Sequence, residues 1–489
     1  MLFSSMIFLW VFLPCVLIGD AIINMIPFEN RAIRTKVKNT FLLVASLIFY
    51  AWGGVYYLLI MLTSIGINYV GGQLLAHRYT EEADRKKCLT IVVCLNLFIL
   101  FVFKYFNMVG IVIENLISDG GSILGMQGTG VLNLPYIVLP IGISFFTFQA
   151  MSYVIDVYRG DAPVQDDLFS FALYVSFFPQ LIAGPIVRYL DVAKEINERK
   201  ETSYLRVSGI KRFCYGLGKK VLLANVFAET ADKIFALEPS LQTGLVAWLG
   251  IICYTLQIYY DFSGYSDMAI GLGRMFGFHF KENFNYPYIS MSIREFWRRW
   301  HISLSTWFRE YVYIPLGGNR KGKLRTYINL FTVFLLTGIW HGANFTFIVW
   351  GLYYGIILVI ERVFLGRLLD QNPIKAINHV YVLIIVVIGW VFFRADNIYL
   401  ALSYLKGLFD FSGNGWMIMS YLSMKLILFL IAGVMLCGPL QQKWQRWYEV
   451  KRRNQTVQRI DFAFQITLLV LSVLSLIGGT YNPFIYFQF

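Results

Sequence analysis

The chain of 489 residues is 57% hydrophobic and only 15% charged, and its mean hydropathy is +0.59. This composition excludes a soluble globular protein and indicates a membrane protein. The net charge of +13 does not indicate a nucleic-acid-binding protein, because the basic residues lie in short connections between hydrophobic segments, where they set the orientation of a membrane chain.

Apolar windows recur from end to end of the chain, and about 20 residues are enough to cross about 30 Å of hydrocarbon as a helix. They cover residues 5–27, 40–76, 88–117, 133–157, 168–187, 221–237, 243–275, 327–365, 379–393, 425–439 and 460–478. Gly53-Gly54 and Trp350-Gly351 each mark a turn inside a long window, which predicts two helical hairpins. We expect an all-α bundle of about 11–13 transmembrane segments. No polar stretch could form a soluble domain, so residues 1–489 are predicted to be one membrane domain.

Lys and Arg concentrate in four connections, at residues 28–39, 187–220, 277–326 and 440–459. The connection 119–133 contains Asp119 and no Lys or Arg, and residues 479–489 also have none. Basic loops are retained on the cytoplasmic side. We therefore expect these four connections to face the cytoplasm and both chain ends to lie on the opposite side of the membrane.

The apolar stretch 168–187 has cytoplasmic-type sequence on both sides, so it cannot cross the membrane once. Pro179 and Gly184-Pro185 interrupt it, and Gln180 adds a polar amide. Irregular backbone at membrane depth is tolerated only where protein or a water-filled cavity surrounds it. The stretch is predicted to be a re-entrant segment, either a chamber wall or an irregular packing element.

The segment 294–312 predicts an amphipathic helix at the cytoplasmic interface, followed by a glycine-rich basic loop that ends near residue 326. Its apolar stripe contains Trp297, Trp300, Leu304, Trp307, Phe308 and Tyr311. The arginines of the segment are Arg294, Arg298, Arg299 and Arg309, and His301 lies at the seam between the two faces. The arginines would bind either phospholipid headgroups or the phosphate groups of an acyl donor.

His341 lies inside the apolar run 327–359, where an imidazole is costly unless it faces a polar cavity. It is either a structural histidine with one interhelical hydrogen bond or a reactive group. On a continuous helix Asn344 would share its face and could orient it. Other polar residues in apolar company are predicted to line the same chamber, namely Gln149, Gln180 and Asp267.

Several motifs resemble the membrane-bound O-acyltransferase (MBOAT) superfamily, and within it the alginate O-acetyltransferase (AlgI-like) branch. The two histidine motifs are FWRRWHISLS at residues 296–305 and WHGA at 340–343, with YIPLGGN at 313–319 between them. Further matches are SFFTFQ at 144–149, FPQLIAGP at 178–185, DFSGYSD at 261–267 and the ending FIYFQF at 484–489. The resemblance spans nearly the whole chain.

The resemblance implies an MBOAT fold and transfer of an acetyl group toward an extracytoplasmic polysaccharide such as alginate. The donor would be acetyl-CoA or an acylated carrier protein on the cytoplasmic side. His341 corresponds to the principal catalytic histidine of the family, as general base or as covalent acyl relay, and His301 corresponds to the second one. A separate extracytoplasmic acetyltransferase or acceptor protein is implied as a partner.

Other functions stay open. A D-alanyl or other acyl transferase of a cell-wall polymer, or an acyltransferase acting on lipid, would use the same histidines. Broken helices and intramembrane polar residues are also consistent with a non-catalytic transporter, although the sequence shows no inverted repeat. The six cysteines have no metal-ligand spacing, so we predict no metal and no permanently bound cofactor.

Overall fold

The computed structural model of the protein describes residues 1–117, 132, 134–413, 415–479 and 481–485. Its regular elements in these residues are helices, which confirms the predicted all-α class. Most of the connection 119–133 and the last four residues of the C-terminal FIYFQF motif lie outside the described residues.

The helices follow one another with short connections along the chain. The α-helices are α1 (Leu13–Met25), α2 (Arg31–Ala51), α3 (Val55–Gln73), α4 (Glu82–Ile117), α5 (Ile143–Arg159), α6 (Leu168–Ser176), α7 (Phe178–Leu181), α8 (Tyr189–Glu198), α9 (Ser203–Gly218), α10 (Asn225–Phe235), α11 (Gly244–Met275), α12 (Ile293–Arg299), α13 (Ile302–Phe308), α14 (Lys323–His341), α15 (Phe345–Ile360), α16 (Gly366–Gln371), α17 (Lys375–Arg394), α18 (Ile398–Gly407), α19 (Met424–Leu436), α20 (Pro439–Lys451) and α21 (Gln455–Gly478). Short π-helical turns lie at Phe8–Phe12, Leu74–Arg78, Lys219–Ala224, Arg309–Tyr313 and Glu361–Leu365, and 3₁₀ turns lie at Pro239–Leu241, Pro287–Ile289 and Gly415–Ser420.

The protein is a multi-pass membrane protein. Within the described residues, 7 helices are long and apolar enough to cross a membrane. They are Phe8–Met25, Val55–Arg78, Glu82–Ile117, Gly244–Met275, Phe345–Gln371, Lys375–Arg394 and Gln455–Gly478. This is fewer than the 11–13 predicted, because several apolar windows form helices that are short, broken or more polar. Met424–Leu436, for example, is an apolar helix too short to count.

The chain forms two compact units. The first contains residues Met1–Phe106, Ile137–Leu217 and Tyr265–Glu282, and the second contains Asn107–Tyr136, Gly218–Gly264 and Asn283–Phe489. In the first unit, aromatic rings such as Phe8, Phe12, Phe49 and Phe178 pack together, with the Phe12 and Phe178 centroids 5.3 Å apart. The predicted turn at Gly53-Gly54 is confirmed, because α2 ends at Ala51 and Gly54 has a φ of 142° before α3 begins.

The stretch 168–187 is broken in the first unit, as its residues predicted. The short helices α6 and α7 are separated at Phe177, and α7 carries Pro179 in its first turn and ends before Gly184-Pro185. The side chains from Ser170 to Val187 are buried. Protein therefore encloses this irregular backbone, and re-entry from one side of the membrane stays a prediction.

The second unit contains the tightest helix pair, α14 against α15. A Cβ atom added to Gly338 would lie 2.3 Å from the Phe347 carbonyl oxygen, and one added to Gly351 would lie 2.5 Å from the Phe334 carbonyl oxygen. Small residues allow membrane helices to approach this closely. The predicted turn at Trp350-Gly351 is wrong, because Gly351 is an interhelical contact and the chain reverses after His341.

Gly351→Ala should therefore destabilise the protein by about 1–3 kcal/mol, because the new methyl group must separate the α14 and α15 backbones. The measurement is thermal unfolding of the purified protein in detergent. Gly66→Ala is the matched control, since Gly66 lies inside membrane helix α3 with no atom within 4 Å of the added Cβ. Equal melting temperatures for the two variants would contradict the close packing.

Candidate active site

His341 is the last residue of α14 and is buried, with only 7% of its surface exposed. The helix ends there because Gly342 is extended, and Asn344 then caps the first turn of α15. The imidazole ring packs against Trp350 and Phe393, with both ring centroids 5.1 Å away. His341 is thus held at a helix end among aromatic side chains.

Asn344 does not orient His341, contrary to the sequence prediction. Its side-chain oxygen accepts the Thr346 N–H, and its amide donates to the Asp396 carbonyl oxygen at 2.7 Å. The prediction failed because it continued the helical period across a turn, whereas α14 ends before Asn344.

His301 lies at a break between α12 and α13 and is 2% exposed. Its backbone is left-handed, with a φ of 45°, a conformation that non-glycine residues rarely adopt. The predicted continuous amphipathic helix over 294–312 is therefore wrong. Its tryptophans, Trp297, Trp300 and Trp307, are buried in protein rather than exposed to headgroups, because they belong to the packed faces of separate short helices.

Asn283 determines which nitrogen of His301 carries the proton. Its side-chain oxygen accepts the backbone N–H of Ser303 at 3.1 Å and the Ser303 hydroxyl at 2.9 Å. The His301 Nδ1 atom lies 3.1 Å from the same oxygen. Because a backbone N–H can only donate, this atom is the amide oxygen, and Nδ1 must donate to it. The lone pair of the neutral imidazole is therefore on Nε2.

The segment that contains Asn283 also holds the left-handed backbone of His301 in place. The Ile302 N–H donates to the Asn283 carbonyl oxygen at 2.9 Å, and the Asn285 N–H donates to the Arg299 carbonyl oxygen at 2.9 Å. The backbone on each side of His301 is thus hydrogen-bonded to residues 283–285. A left-handed residue persists when its surroundings fix it in this way.

The two histidines meet at Trp340. The ring centroid of Trp340 lies 6.2 Å from His301 and 5.0 Å from His341. Phe262 adds an edge-to-face contact with His301 at 4.6 Å. Two imidazoles that are 40 positions apart in the chain therefore contact the same indole ring.

Burial lowers the pKa of His301 to about 3. The charged form loses its hydration in these aromatic surroundings, so His301 is neutral at physiological pH. A neutral imidazole can accept or donate a hydrogen bond, but it does not supply positive charge to the site.

The predicted arginine set divides into two pairs. Arg299 is bound to Glu295 at 2.9 Å and Arg309 to Glu310 at 2.6 Å. The guanidinium groups of Arg294 and Arg298 are exposed one turn apart on α12, with no hydrogen-bond or ion-pair partner in the described part of the chain. These two arginines are therefore the ones available to an anionic ligand.

Sequence reasoning missed Glu361, which fixes α12 from the end of α15. Its buried carboxylate accepts the N–H of Ile293 at 2.7 Å and that of Arg294 at 3.0 Å. These are the unsatisfied donors of a helix N-terminus. No local pattern indicates such a contact, since the residues are 68 and 67 positions apart.

Three further predicted site residues lie in the first unit. Gln180 donates its amide to the Tyr174 carbonyl oxygen at 2.6 Å, and Asp267 is paired with Arg212 at 2.6 Å. Gln149 is fully buried, and its side-chain amide has no hydrogen-bond partner among the described residues. Asp267 thus has a structural ion pair, and the lining of a chamber by these residues stays a prediction.

A multi-pass helical protein with two buried histidines in one aromatic site has the features of a membrane-embedded transferase. The sequence model of the MBOAT (membrane-bound O-acyltransferase) family matches residues 122–405. The chain belongs to this family and is an O-acyltransferase, which confirms the resemblance of the two histidine motifs.

The chain is similar to several bacterial proteins, and the similarity to the first of them covers its whole length. It is 41% identical over 510 positions to the probable alginate O-acetylase AlgI of Pseudomonas putida, covering 100% of both chains. It is 36% identical over 443 positions to the peptidoglycan O-acetyltransferase of Helicobacter pylori, covering 84% of this chain and 80% of that protein. It is 30% identical over 243 positions to the teichoic acid D-alanyltransferase of Bacillus subtilis, covering 46% and 59% respectively.

Asn283→Asp should move the acid limb of the activity profile to higher pH. A carboxylate facing Nδ1–H stabilises the imidazolium, so the pKa of His301 rises from about 3 and the neutral form is lost as the pH falls through the new value. The measurement is the pH profile of thiol release from acetyl-CoA by membrane vesicles.

Ser303→Ala is the matched control, because it removes another donor to the same Asn283 oxygen without adding charge. Its acid limb should coincide with that of the unchanged protein. An acid limb of Asn283→Asp that also coincides would show that Asn283 does not set the protonation of His301.

Proposed function

We propose that the protein transfers an acetyl group from a cytoplasmic thioester toward an extracytoplasmic polysaccharide, with His341 as the central catalytic group. The observation that supports this proposal is the convergence of two buried imidazoles on Trp340. The relatives support the acceptor class, since those with alginate and peptidoglycan in their names act on polysaccharides.

The reaction needs a base because an acceptor hydroxyl, on the polymer or on a partner that passes the acetyl group on, has a pKa far above 7. The acceptor hydroxyl gives its proton to the imidazole of His341 as its oxygen bonds to the thioester carbonyl carbon. The carbon–sulfur bond then breaks, and the imidazolium returns the proton to the leaving thiolate. His301 stays neutral, and its Nε2 lone pair orients the hydroxyl by accepting a hydrogen bond.

A covalent relay is the second version of this chemistry. The imidazole of His341 attacks the thioester carbonyl, the thiolate leaves, and the acetyl group passes to the acceptor hydroxyl in a second step. The two versions differ in one measurable respect. Only the relay leaves labelled acetyl on the protein after exposure to donor without acceptor.

The exposed arginines on α12 suit a phosphate-bearing donor, acetyl-CoA or an acyl carrier with a phosphopantetheine arm. Their position in a basic connection favours entry from the cytoplasm. In this proposal the protein lies in the bacterial cytoplasmic membrane with its basic loops inside and its ends outside. A separate extracytoplasmic acetyltransferase or acceptor protein completes the transfer to the polymer.

D-alanyl transfer is the nearest alternative, and the Bacillus subtilis relative gives it support over 46% of this chain. The greater identity and coverage of the acetyl-transferring relatives favour acetyl. Mass spectrometry of secreted glycans from a deletion strain separates the two, because the lost group differs in mass and carries an amine only in D-alanyl esters.

His341→Ala should reduce polysaccharide O-acetylation by at least about 100-fold, because general acid–base catalysis contributes roughly that much. His301→Ala should also lower it, with normal protein abundance in both cases. The measurement is ester acetate released by alkali from the secreted polymer.

His77→Ala is the matched control, since His77 is exposed and paired with Asp166 in the first unit. It should retain full acetylation. Normal acetylation by an abundant His341→Ala variant would refute the assignment and favour transport without chemistry.

Replacing Arg294 and Arg298 together by Gln should raise the KM for acetyl-CoA by about tenfold or more and leave kcat nearly unchanged, because a charge-assisted hydrogen bond contributes about 1.5–3 kcal/mol to binding. Steady-state kinetics of thiol release in membrane vesicles measures this. Arg309→Gln is the control, because Arg309 is exposed but already paired with Glu310. An unchanged KM in the double variant would place the donor elsewhere.

A further inference from the structure

Three buried hydrogen-bond donors in the second unit, one of them on a residue that contacts His341, have no partner among the described residues. They are the indole N–H groups of Trp297 and Trp350 and the hydroxyl of Tyr354, and no hydrogen-bond acceptor faces them anywhere in the described residues. Their side chains belong to residues that are 9%, 1% and 0% exposed respectively. A buried donor without an acceptor costs free energy, so three together require an explanation.

The three side chains form one contiguous group, here called the donor cluster. The ring centroids of Trp297 and Tyr354 are 4.9 Å apart, those of Trp350 and Tyr354 are 5.2 Å apart, and those of Trp297 and Trp350 are 5.4 Å apart. Trp350 also lies 5.1 Å from the imidazole of His341. The cluster therefore starts at the ring that the proposed reaction uses.

Several other large polar side chains in the same unit have partners. The Trp390 indole donates to the Tyr288 hydroxyl at 3.2 Å, and the Tyr353 hydroxyl donates to the Ile385 carbonyl oxygen at 2.9 Å. Tyr404 donates to the Ala247 carbonyl oxygen at 2.7 Å. Tyr254 does lack a partner, but it packs on Phe235 and not on the donor cluster. The fold satisfies these groups, whereas the three donors of the cluster have no acceptor among the described residues.

The chemistry of the donors defines the ligand. An indole N–H can only donate, so the ligand must bring an acceptor atom. The surrounding rings are neutral and apolar, which favours a compact acyl group over a charged one. A thioester carbonyl oxygen meets both conditions, and it becomes an oxyanion when a nucleophile attacks the carbonyl carbon. Fixed donors in a site that excludes water stabilise such charge strongly.

We propose that Tyr354 and Trp350, supported by Trp297, form the site that binds the acyl carbonyl oxygen and stabilises the oxyanion. This inference rests on the proposed function and identifies the donors that the reaction at His341 requires. No bond is made or broken at these residues. They hold the oxygen while the tetrahedral adduct forms and collapses.

Tyr354→Phe and Trp350→Phe test the proposal, since each removes a donor and keeps an aromatic ring. With acetyl-CoA as the probe in membrane vesicles, each should lower kcat by about 10- to 100-fold and change KM by less than about twofold. Tyr354→Phe should melt at the same or a higher temperature, because it removes a hydroxyl that has no partner in the ligand-free protein.

Tyr353→Phe and Trp390→Phe are the matched controls, because their donors already serve the fold. They should lower the melting temperature and leave kcat within about twofold per folded protein. A loss of kcat in Tyr354→Phe without a loss of stability supports binding of a reacting oxygen, since a merely structural hydroxyl could not give that combination.

The outcome is separable from the proposed function. If His341→Ala turns over acetyl-CoA normally, the proposed function fails and the donor cluster loses its reaction. If His341→Ala is inactive while Tyr354→Phe and Trp350→Phe keep full kcat, the proposed function stands and the donor cluster is overturned. In that case the N–H groups would be satisfied by the faces of the neighbouring rings.

Discussion

The close contact between α14 and α15 is the constraint on which the site depends. Gly338 and Gly351 let the two backbones touch, with each hypothetical Cβ meeting a carbonyl oxygen of the other helix. The helix α14 then ends at His341, so its imidazole is delivered directly against Trp350 of α15. Neither a longer helix nor a wider separation would bring the ring to the same place.

The end of this helix pair also positions the segment that leads to His301. Glu361 follows α15 and accepts the first two N–H groups of α12, which leads to His301. Trp350 contacts His341 near the other end of α15. The spacing of Trp350 and Glu361 on one helical path therefore fixes the two histidine segments relative to each other. A helix is stiff over this length, so the arrangement does not rely on loops.

The sequence predicts the parts of this arrangement that depend on composition and on short motifs. The apolar windows, the turn at Gly53-Gly54 and the break near Pro179 all express local preferences of the residues concerned. The prediction of one helix over 294–312 was wrong. The helical spacing of its apolar residues continues through Trp300-His301, but there hydrogen bonds to residues 283–285 outweigh local helix propensity.

The positioning contacts at the site could not be predicted because they are non-local. No sequence motif links Asn283 to His301. In the sequence Glu361 appears only as a charged residue at the end of an apolar helix. Glycines gave an ambiguous signal, since a turn and a close helix contact both favour them. Gly351 thus appeared as a turn when it is a contact. The histidine motifs identified the family because they match its sequences, and they did not specify the geometry of the site.

The second unit contains a buried ion pair as well as the two buried imidazoles. Lys220 and Asp261 form a buried ion pair at 2.6 Å, and Asp261 also accepts the N–H of Ile485, so this pair anchors the end of the chain. Burial lowers the pKa of His301, because the imidazolium loses its hydration there. In the proposed reaction, stabilisation of developing charge therefore falls to neutral dipoles. In this proposal, N–H and O–H groups fixed among aromatic rings can do this without the desolvation penalty of a buried ion.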